Sequence, residues 1–443
     1  MLRRIIHIVG LLVLLTGVSA CFKDSNFEFK AGGDGSGAAV MPSREQSPDV
    51  RNVLLYVVAG FNSLSEYLAE DIADLESGSL PGRESPTEPV LLVFSRLPET
   101  PGSSDYSQPA SPVLFRLYAK DGRPVRDTLK VWSPDTRMSN PETLTEALNF
   151  TNSAFPGNRY GVIFSSHASG WLPPRYYENP APFETGDVTA FGKRSSQGRI
   201  LREVFPLIGQ DNYPAVKSVG MDNDSPVTEM DLDAFAAAIP YHLDYLLFDA
   251  CLMGCVEVAY ELKDKADVVG FSQTEVLADG FNYSTLSTHL LVNNPDPVAV
   301  CRDYFEFYNK QTGDNRSATI SVVNTQKLDK LAQVCSVLFE KYRIQLANMP
   351  GSRVQGYFRF NRHFFYDLRD ILLQAGITEE EDARLQAALE QCIMYKAATP
   401  SFLGIPINSY SGFSMYLPSE GSSHLDNYYR NHVAWNKATG LVK

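Results

Sequence analysis

The sequence predicts an α/β fold in which a largely parallel sheet is flanked by helices. Apolar runs bounded by turn-forming residues occur at positions 52–60, 89–97, 160–167 and 245–251. These runs lack the alternation of apolar and polar residues that marks a strand with one face in water, so both of their faces should be buried. A helical pattern at positions 63–77 follows the first run, and strands that alternate with helices are typical of a parallel sheet covered on both faces.

The composition excludes several classes of protein. With 44% hydrophobic and 21% charged residues in a chain of 443, this is a folded globular protein rather than a disordered or fibrous one. The net charge of −13, from 52 acidic and 39 basic residues, argues against a general nucleic-acid binder. We therefore expect no nucleic-acid partner.

The first residues have the pattern of an export signal. Arg3 and Arg4 precede an apolar run at positions 5–15, which is shorter than a comfortable membrane span. The run leads to VSAC, with small residues directly before Cys21, and this end resembles a bacterial lipobox. We expect residues 1–21 to be a lipoprotein signal and Cys21 to be the lipidated residue that anchors an exported protein in the bacterial cell envelope. The alternative is an ordinary secretory signal with a chance cysteine.

The rest of the chain divides by its sequence patterns. Residues 22–49 contain Gly, Ser and Pro without periodicity and predict a flexible tether. Residues 50–290 contain the alternating strands and helices. Within them, positions 111–118 and 128–133 predict an appended hairpin around the sequence DGRP. Residues 291–443 are richer in helical patterns and predict a helical C-terminal subdomain packed on the α/β domain.

Two predicted strands end on reactive side chains, one at His167 and the other at Cys251. Because the carboxyl ends of parallel strands meet at one edge of a sheet, these two residues should lie close together. A helix predicted to start at Cys251 would favour the thiolate through its dipole. The pattern predicts Cys251 as a nucleophile, His167 as its general base, and the backbone amides at Ala168 and Cys251 as oxyanion donors. The other interpretation is a buried structural Cys and His.

The remaining cysteines indicate neither a disulfide framework nor a defined metal site. Five cysteines are left after Cys21, at positions 251, 255, 301, 335 and 392, and an odd number leaves at least one thiol free. Cys335 and Cys392 lie in apolar helical patterns, which are typical of core positions. Cys251 and Cys255 are one helical turn apart, but no second ligand pair lies nearby, so the metal content stays unknown.

Three motifs carry a resemblance to a known family. They are HASGW at 167–171, DACLMGCVEVAYEL at 249–262 and SQTEVLADGFNY at 272–283. Together they resemble the clostripain family of cysteine peptidases, which is related in fold to caspases and gingipains. The opening strand and helix at 52–78 and the late strand at 412–418 are also similar to that family. The resemblance implies a caspase-like catalytic domain at residues 50–290.

The resemblance also implies roles for individual residues. The histidine of H-x-x-G-W is the family's general base and falls on His167, and the cysteine of D-A-C-L-M is its nucleophile and falls on Cys251. The family's pocket for a basic residue falls on Asp249 and Asp279, and carboxylates pair strongly with Arg or Lys. We expect an endopeptidase that cuts proteins or peptides after Arg or Lys. The alternatives are a catalytically silent surface-binding lipoprotein and a peptidase with a non-basic preference.

Two further expectations follow from the family. Some relatives cut themselves between the histidine and the cysteine, where this chain offers Lys193 and Arg194 in the irregular stretch 171–221. Calcium often activates relatives, although no cofactor is required for the chemistry. The acid-rich segment 221–233 lacks the spacing of an EF-hand loop and is more typical of a helix cap. The chain departs from the pattern at Ala168, where the wider clan usually has Gly, and at Phe61, where the family more often has an acid.

Overall fold

A computed structural model describes residues 27–30, 51–85, 87–174, 176, 219–359 and 363–443, with only the backbone described for 27–30. The strands in this part of the chain are β1 (Phe27–Lys30), β2 (Asn52–Ala59), β3 (Val90–Arg96), β4 (Val113–Lys120), β5 (Arg123–Val131), β6 (Arg159–Ser165), β7 (Val219–Asp222), β8 (Thr228–Met230), β9 (Leu243–Asp249), β10 (Ala266–Phe271), β11 (Thr319–Asn324), β12 (Tyr366–Asp367), β13 (Ile393–Ala398), β14 (Ser401–Phe402), β15 (Ile405–Pro406) and β16 (Ser414–Met415). The α-helices are α1 (Ser65–Ser77), α2 (Pro141–Ala154), α3 (Leu232–Ala238), α4 (Val256–Glu261), α5 (Tyr283–Leu290), α6 (Pro297–Asn309), α7 (Leu328–Lys341), α8 (Arg343–Ala347), α9 (Leu368–Ala375), α10 (Glu379–Cys392), α11 (Ser423–His432) and α12 (Ala434–Thr439).

The central sheet has the strand order β1-β13-β11-β10-β9-β6-β2-β3-β4-β5. Its five middle strands, from β10 to β3, pair in parallel, and the strands outside them pair antiparallel. Every residue of β2 and β9 is buried, as expected for apolar strands covered on both faces. The predicted α/β fold with a largely parallel sheet is therefore confirmed.

The helices form two groups of neighbours around the sheet. One group consists of α1, α5 and α6, and the other runs through α2, α3, α4, α12, α7 and α10. The predicted hairpin is present as β4 and β5, which extend the sheet antiparallel from β3. Asp121 and Gly122 at its tip have φ values of 51° and 71°, the conformation of a two-residue turn that suits the twist of a hairpin.

The C-terminal region differs from the expected helical subdomain. Residues 291–443 contribute β11 and β13 to the central sheet itself. These strands are only six residues long and lie between strong helical patterns, which conceal them in the sequence. Likewise, β1 lies within the predicted tether and pairs antiparallel with β13. One continuous sheet thus joins the two regions that the sequence patterns separate.

A buried ion cluster fastens the segment around β7 to the ends of β2 and β3. Arg96, the last residue of β3, is fully buried, and its guanidinium bonds Asp222 at 2.8 Å and Asp224 at 2.6 and 3.0 Å. The backbone N–H and hydroxyl of Ser139 donate to the other oxygen of Asp222 at 2.7 and 2.8 Å. The guanidinium also lies 4.1 Å from the centre of the Phe61 ring. Phe61 thus contributes a cation–π contact, while Asp222 and Asp224 supply the negative charge.

We predict that Arg96→Met lowers the stability of the fold by about 3–5 kcal/mol, because it leaves the buried carboxylate of Asp222 without its cation. Thermal and urea unfolding measure the change. Arg126→Met is the matched control, because the Arg126 side chain that pairs with Glu76 is 50% exposed and ion pairs with an exposed partner contribute little. Adding Asp222→Asn to Arg96→Met should recover part of the lost stability. Equal unfolding midpoints for the Arg96→Met and Arg126→Met variants would contradict a stabilising role of the buried ion cluster.

Candidate active site

The register of two strands sets the positions of His167 and Cys251. In the parallel ladder of β6 and β9, Ser165 lies opposite Asp249. His167 and Cys251 each follow this pair by two residues, so they leave adjacent strands at the same level of the sheet. Both side chains are buried, with 2% of each residue exposed. The register therefore sets His167 and Cys251 at the same level beyond the carboxyl ends of the two strands, and their roles as a catalytic pair stay a prediction.

The turns that carry these two residues pack directly against each other. Gly170 has a φ of 64°, and a Cβ there would lie 2.7 Å from the carbonyl oxygen of Leu252 and 3.1 Å from Sγ of Cys255. Only glycine can adopt this backbone and also allow so close an approach. The glycine of the H-x-x-G-W motif thus brings the histidine turn against the cysteine turn.

The helix predicted to start at Cys251 is absent at that position. Cys251 lies in a turn in which Leu252 has a φ of 61°, and α4 begins only at Val256. The N–H of Gly254 instead donates to the carbonyl of Ser272 at 2.6 Å, so the backbone here bonds to the neighbouring chain segment rather than to a helical turn. A helix dipole at the sulfur, which the sequence suggested, is not part of this site.

The electrostatic surroundings of Cys251 favour the neutral thiol. Burial raises the pKa of Cys251 well above its usual value, and the nearby carboxylate of Glu275 raises it further. The backbone N–H of Val276, which donates to Sγ at 3.4 Å, and the cation of Arg359 act in the opposite direction. Arg359 bonds the almost fully buried Glu275 at 3.0 Å. In this conformation the sulfur therefore holds its proton at neutral pH and needs a base.

His167 is fixed through its backbone and its ring. Its carbonyl oxygen accepts a hydrogen bond from the N–H of Gly220 at 3.1 Å, and the adjacent Ala168 pairs with Val219 of β7. Its Nε2 lies 3.0 Å from the hydroxyl oxygen of Ser63, in the loop after β2. Ala168 is fully buried, and its role and that of Cys251 as oxyanion donors stay predictions.

Asp249 is a buried carboxylate with a defined set of donors. Its Oδ2 accepts from the hydroxyl of Tyr283 at 2.8 Å and from the N–H of Phe281 at 3.2 Å. Burial raises the pKa of Asp249 to about 6, against the lowering effect of these two donors. A Cβ on Gly280 would lie 2.3 Å from Oδ2, so the backbone after Asp279 passes directly over this carboxylate.

An acidic cavity of about 270 Å³ lies on the other side of that backbone segment. Asp279 is exposed at the cavity, and Gly280 and Phe281 form part of its wall. None of the described lining residues is a lysine or an arginine. Within the described residues, four carboxylates line the cavity, those of Glu70, Asp71, Asp74 and Asp279. The rings of Tyr67 and Phe307 also form part of its wall.

Three of these carboxylates, those on α1, were not predicted from the sequence. Asp71 is buried and its Oδ2 accepts from the hydroxyl of Tyr56 at 3.4 Å. Burial raises the pKa of Asp71 well above its usual range, and the negative charge of Asp249 raises it further. The sequence feature that could have identified Asp71 is its position beside Leu68, Ile72 and Leu75 on the apolar face of an amphipathic helix, where an acid is unusual.

The other predicted sites have different outcomes. Cys21, Lys193 and Arg194 lie outside the described residues. Cys335 and Cys392 are buried and free, which confirms them as core residues. Within the described ranges no group of three or more His, Cys, Asp or Glu side chains is arranged to hold a metal, and calcium activation stays a prediction. No helix in the described part of the chain is both long enough and apolar enough to span a membrane.

Sequence comparison identifies the family. The sequence model described as the clostripain family matches residues 207–440, just over half of the chain. The chain belongs to the clostripain family. This confirms the family resemblance, and two of its three motifs, at 249–262 and 272–283, lie in the matched range. No curated protein matched the chain.

Solved structures of clostripain-family proteins have the same fold. An inactive zymogen C11 protease from Parabacteroides distasonis is 26% identical and has a TM-score of 0.67, over 90% of this chain and 99% of that one. A secreted C11 cysteine protease from Bacteroides thetaiotaomicron, in complex with an irreversible peptide inhibitor, is 22% identical and has a TM-score of 0.67, over 88% and 99% of the two chains. Family and fold thus indicate a cysteine peptidase.

The charged groups around the Cys251 thiol predict that two substitutions shift the pH dependence of its alkylation in opposite directions. Glu275→Gln should move alkylation of Cys251 by iodoacetamide to lower pH, because the carboxylate raises the thiol pKa, and Arg359→Gln should move it to higher pH. Mass spectrometry of the Cys251 peptide measures alkylation against pH. Glu380→Gln, which alters an exposed carboxylate on α10, is the control. Shifts in the same direction for the first two variants would disprove the assignment.

Proposed function

We propose that this clostripain-family chain is a cysteine endopeptidase that cuts after Arg or Lys, with Cys251 as the nucleophile and His167 as the general base. The observation that carries the proposal is the β6–β9 register, which sets both residues at the same level beyond adjacent strands. Nucleophilic catalysis by cysteine requires a thiol and a base that can take its proton, and His167 is the proposed base for the protonated Cys251.

The proposed reaction proceeds through an acyl-enzyme. His167 takes the proton of the Cys251 thiol as the sulfur attacks the scissile carbonyl carbon. The tetrahedral intermediate collapses when His167 gives that proton to the leaving amine nitrogen, and a thioester remains on Cys251. His167 then takes a proton from water as the water oxygen attacks the thioester carbon. The C–S bond breaks, His167 returns the proton to the Cys251 sulfur, and the carboxylic acid product leaves. The backbone N–H groups of Ala168 and Cys251 are the proposed donors to the oxyanion.

The acidic cavity supports a basic P1 residue. Asp279 provides a charge-assisted hydrogen bond for a guanidinium or ammonium group, and Asp71 adds a second carboxyl group at the cavity wall. The rings of Tyr67 and Phe307 offer apolar surface for the aliphatic stem of Arg or Lys. Asp249 lies directly behind Gly280, so its charge contributes to the field in the cavity.

The buried thiol supports a latent state in which the intact chain reacts slowly. We propose that self-cleavage near Lys193 and Arg194 accompanies activation. The double variant Lys193→Ala/Arg194→Ala should stay a single band on a denaturing gel, while the wild-type chain yields two fragments. The control is Cys251→Ala, which should also stay intact because cleavage is its own reaction. Fragments in both variants would point to a contaminating protease instead.

The proposed location is the bacterial cell envelope, with a lipid on Cys21 as the membrane anchor. Calcium is a proposed activator rather than a participant in the chemistry. Neither proposal depends on the dyad, and each has its own measurement: mass spectrometry of the N-terminal peptide for lipidation, and peptidase activity with and without a chelator for calcium.

We predict that residues 50–443 cleave fluorogenic peptides after Arg or Lys and that Cys251→Ala abolishes this cleavage. Asp279→Asn should lower kcat/KM for these peptides by about 10- to 100-fold, the factor for one hydrogen bond to a charged group. Asp314→Asn, which alters an exposed carboxylate between α6 and β11, is the control. Cleavage after Asp or Leu instead would leave the nucleophile in place but overturn the acidic pocket.

The same assay has an expected pH dependence. Because the pKa of Asp249 is raised to about 6, this carboxyl is neutral below that pH and ionised above it. KM for Arg peptides should therefore rise as pH falls through about 6, and Asp249→Asn should flatten this part of the profile. An absence of cleavage at every pH, with and without calcium, would favour the silent surface-binding protein.

A further inference from the structure

The imidazole of His167 can take the thiol proton only at a ring nitrogen that carries no hydrogen. A neutral histidine has two tautomers, and a hydrogen bond to one nitrogen selects which of them is present. In this structure the hydroxyl oxygen of Ser63 lies 3.0 Å from Nε2 of His167. A group in the loop after β2 therefore contacts the ring of the proposed base.

We propose that Ser63 is a positioning residue that completes the active site as a Ser63–His167–Cys251 set. Its hydroxyl oxygen accepts a hydrogen bond from Nε2–H, which assigns the basic lone pair to Nδ1. This inference rests on the proposed function, because it gives His167 the role of base toward Cys251. Ser63 does not contact the reacting atoms and acts only through the ring.

The loop that carries Ser63 is held rigidly by the preceding residue. Asn62 is fully buried, and its side-chain N–H groups donate to the carbonyls of Ala59 at 2.8 Å and Met221 at 2.9 Å. Its side-chain oxygen accepts from the N–H of Leu64 at 2.9 Å. The hydroxyl of Ser63 is thus presented to His167 by a loop whose polar groups are already paired, and little rearrangement is needed during the reaction.

The loop is also tied to the segment that holds the backbone of His167. The N–H of Asn223 donates to the carbonyl of Phe61 at 2.8 Å. Three residues earlier in the same segment, the N–H of Gly220 donates to the carbonyl of His167. The segment around β7 therefore fixes both partners of the Ser63–His167 contact. Because Ser63 and His167 are both held by this segment, the distance between the hydroxyl and the ring stays constant. A positioning role requires a constant distance.

A neutral hydroxyl has a different effect from a carboxylate at this position. A carboxylate would stabilise the imidazolium through its charge, whereas a neutral hydroxyl fixes the tautomer without adding a charge beside the ring. The proton balance stays simple. The thiol proton moves to Nδ1, Nε2–H stays bonded to Ser63, and the proton on Nδ1 later passes to the leaving amine.

The test compares Ser63→Ala, Ser63→Thr and Ser65→Ala in the peptide assay. Ser63→Ala should lower kcat about tenfold, the factor for one neutral hydrogen bond, and leave KM unchanged because Ser63 does not line the acidic cavity. Ser63→Thr keeps the hydroxyl and should restore most of kcat. Ser65→Ala removes a buried hydroxyl that bonds Gly102 in the same region and should leave kcat unchanged.

A second readout separates this inference from the proposed function. The rate of Cys251 alkylation by iodoacetamide needs the base but no peptide substrate, and it should fall in Ser63→Ala and recover in Ser63→Thr. If the wild-type chain cuts no peptide, the proposed function fails while the alkylation rates still decide the role of Ser63. A Ser63→Ala variant with wild-type kcat and wild-type alkylation would overturn the inference, as would a drop of the same size in Ser65→Ala.

Discussion

The parallel pairing of β6 with β9 is the constraint on which the proposed site depends. Because Ser165 lies opposite Asp249, the two chain segments leave the sheet at one level, and the next residues of each carry the imidazole and the thiol. A shift of one residue in this ladder would turn His167 and Cys251 to different faces. Such a shift would expose the buried apolar surface of both strands, which is energetically costly. The hydrophobic core therefore sets the relative positions of His167 and Cys251.

Sequence reasoning succeeds here where a pattern is local. The apolar runs predict β2, β3, β6 and β9, and the ends of two of them place His167 and Cys251 beyond adjacent strands. It fails where contacts between distant segments decide. The helix expected at Cys251 gives way to a turn because Gly254 bonds Ser272, and the cavity carboxylate of Asp71 becomes visible only when α1 packs beside Asp279. The ionisation of Cys251 also depends on Glu275 and Arg359, which no local pattern links to it.

The acids proposed to favour a cationic substrate also disfavour ionisation of the proposed nucleophile. Asp249 and Glu275 both raise the pKa of Cys251, and the cluster of carboxylates near Asp71 adds negative potential on the side of the cavity. A guanidinium that enters beside these groups would offset part of that potential and favour loss of the thiol proton. Recognition and reactivity are then coupled, since the correct substrate brings the charge that the free protein lacks.

The strand order has a consequence for the chain once it is cut. On one side of the β6–β9 ladder, the strands β6, β2, β3, β4 and β5 precede residue 177. On the other side, β9, β10, β11 and β13 follow residue 218, and of the described strands there only the edge strand β1 comes from the segment before residue 177. A break between these positions would leave a two-chain protein held together by that ladder, by the Arg96 cluster and by the pairing of β1 with β13. Each fragment would carry half of the dyad, so activity would report their association, and the catalytic centre would itself be a subunit interface.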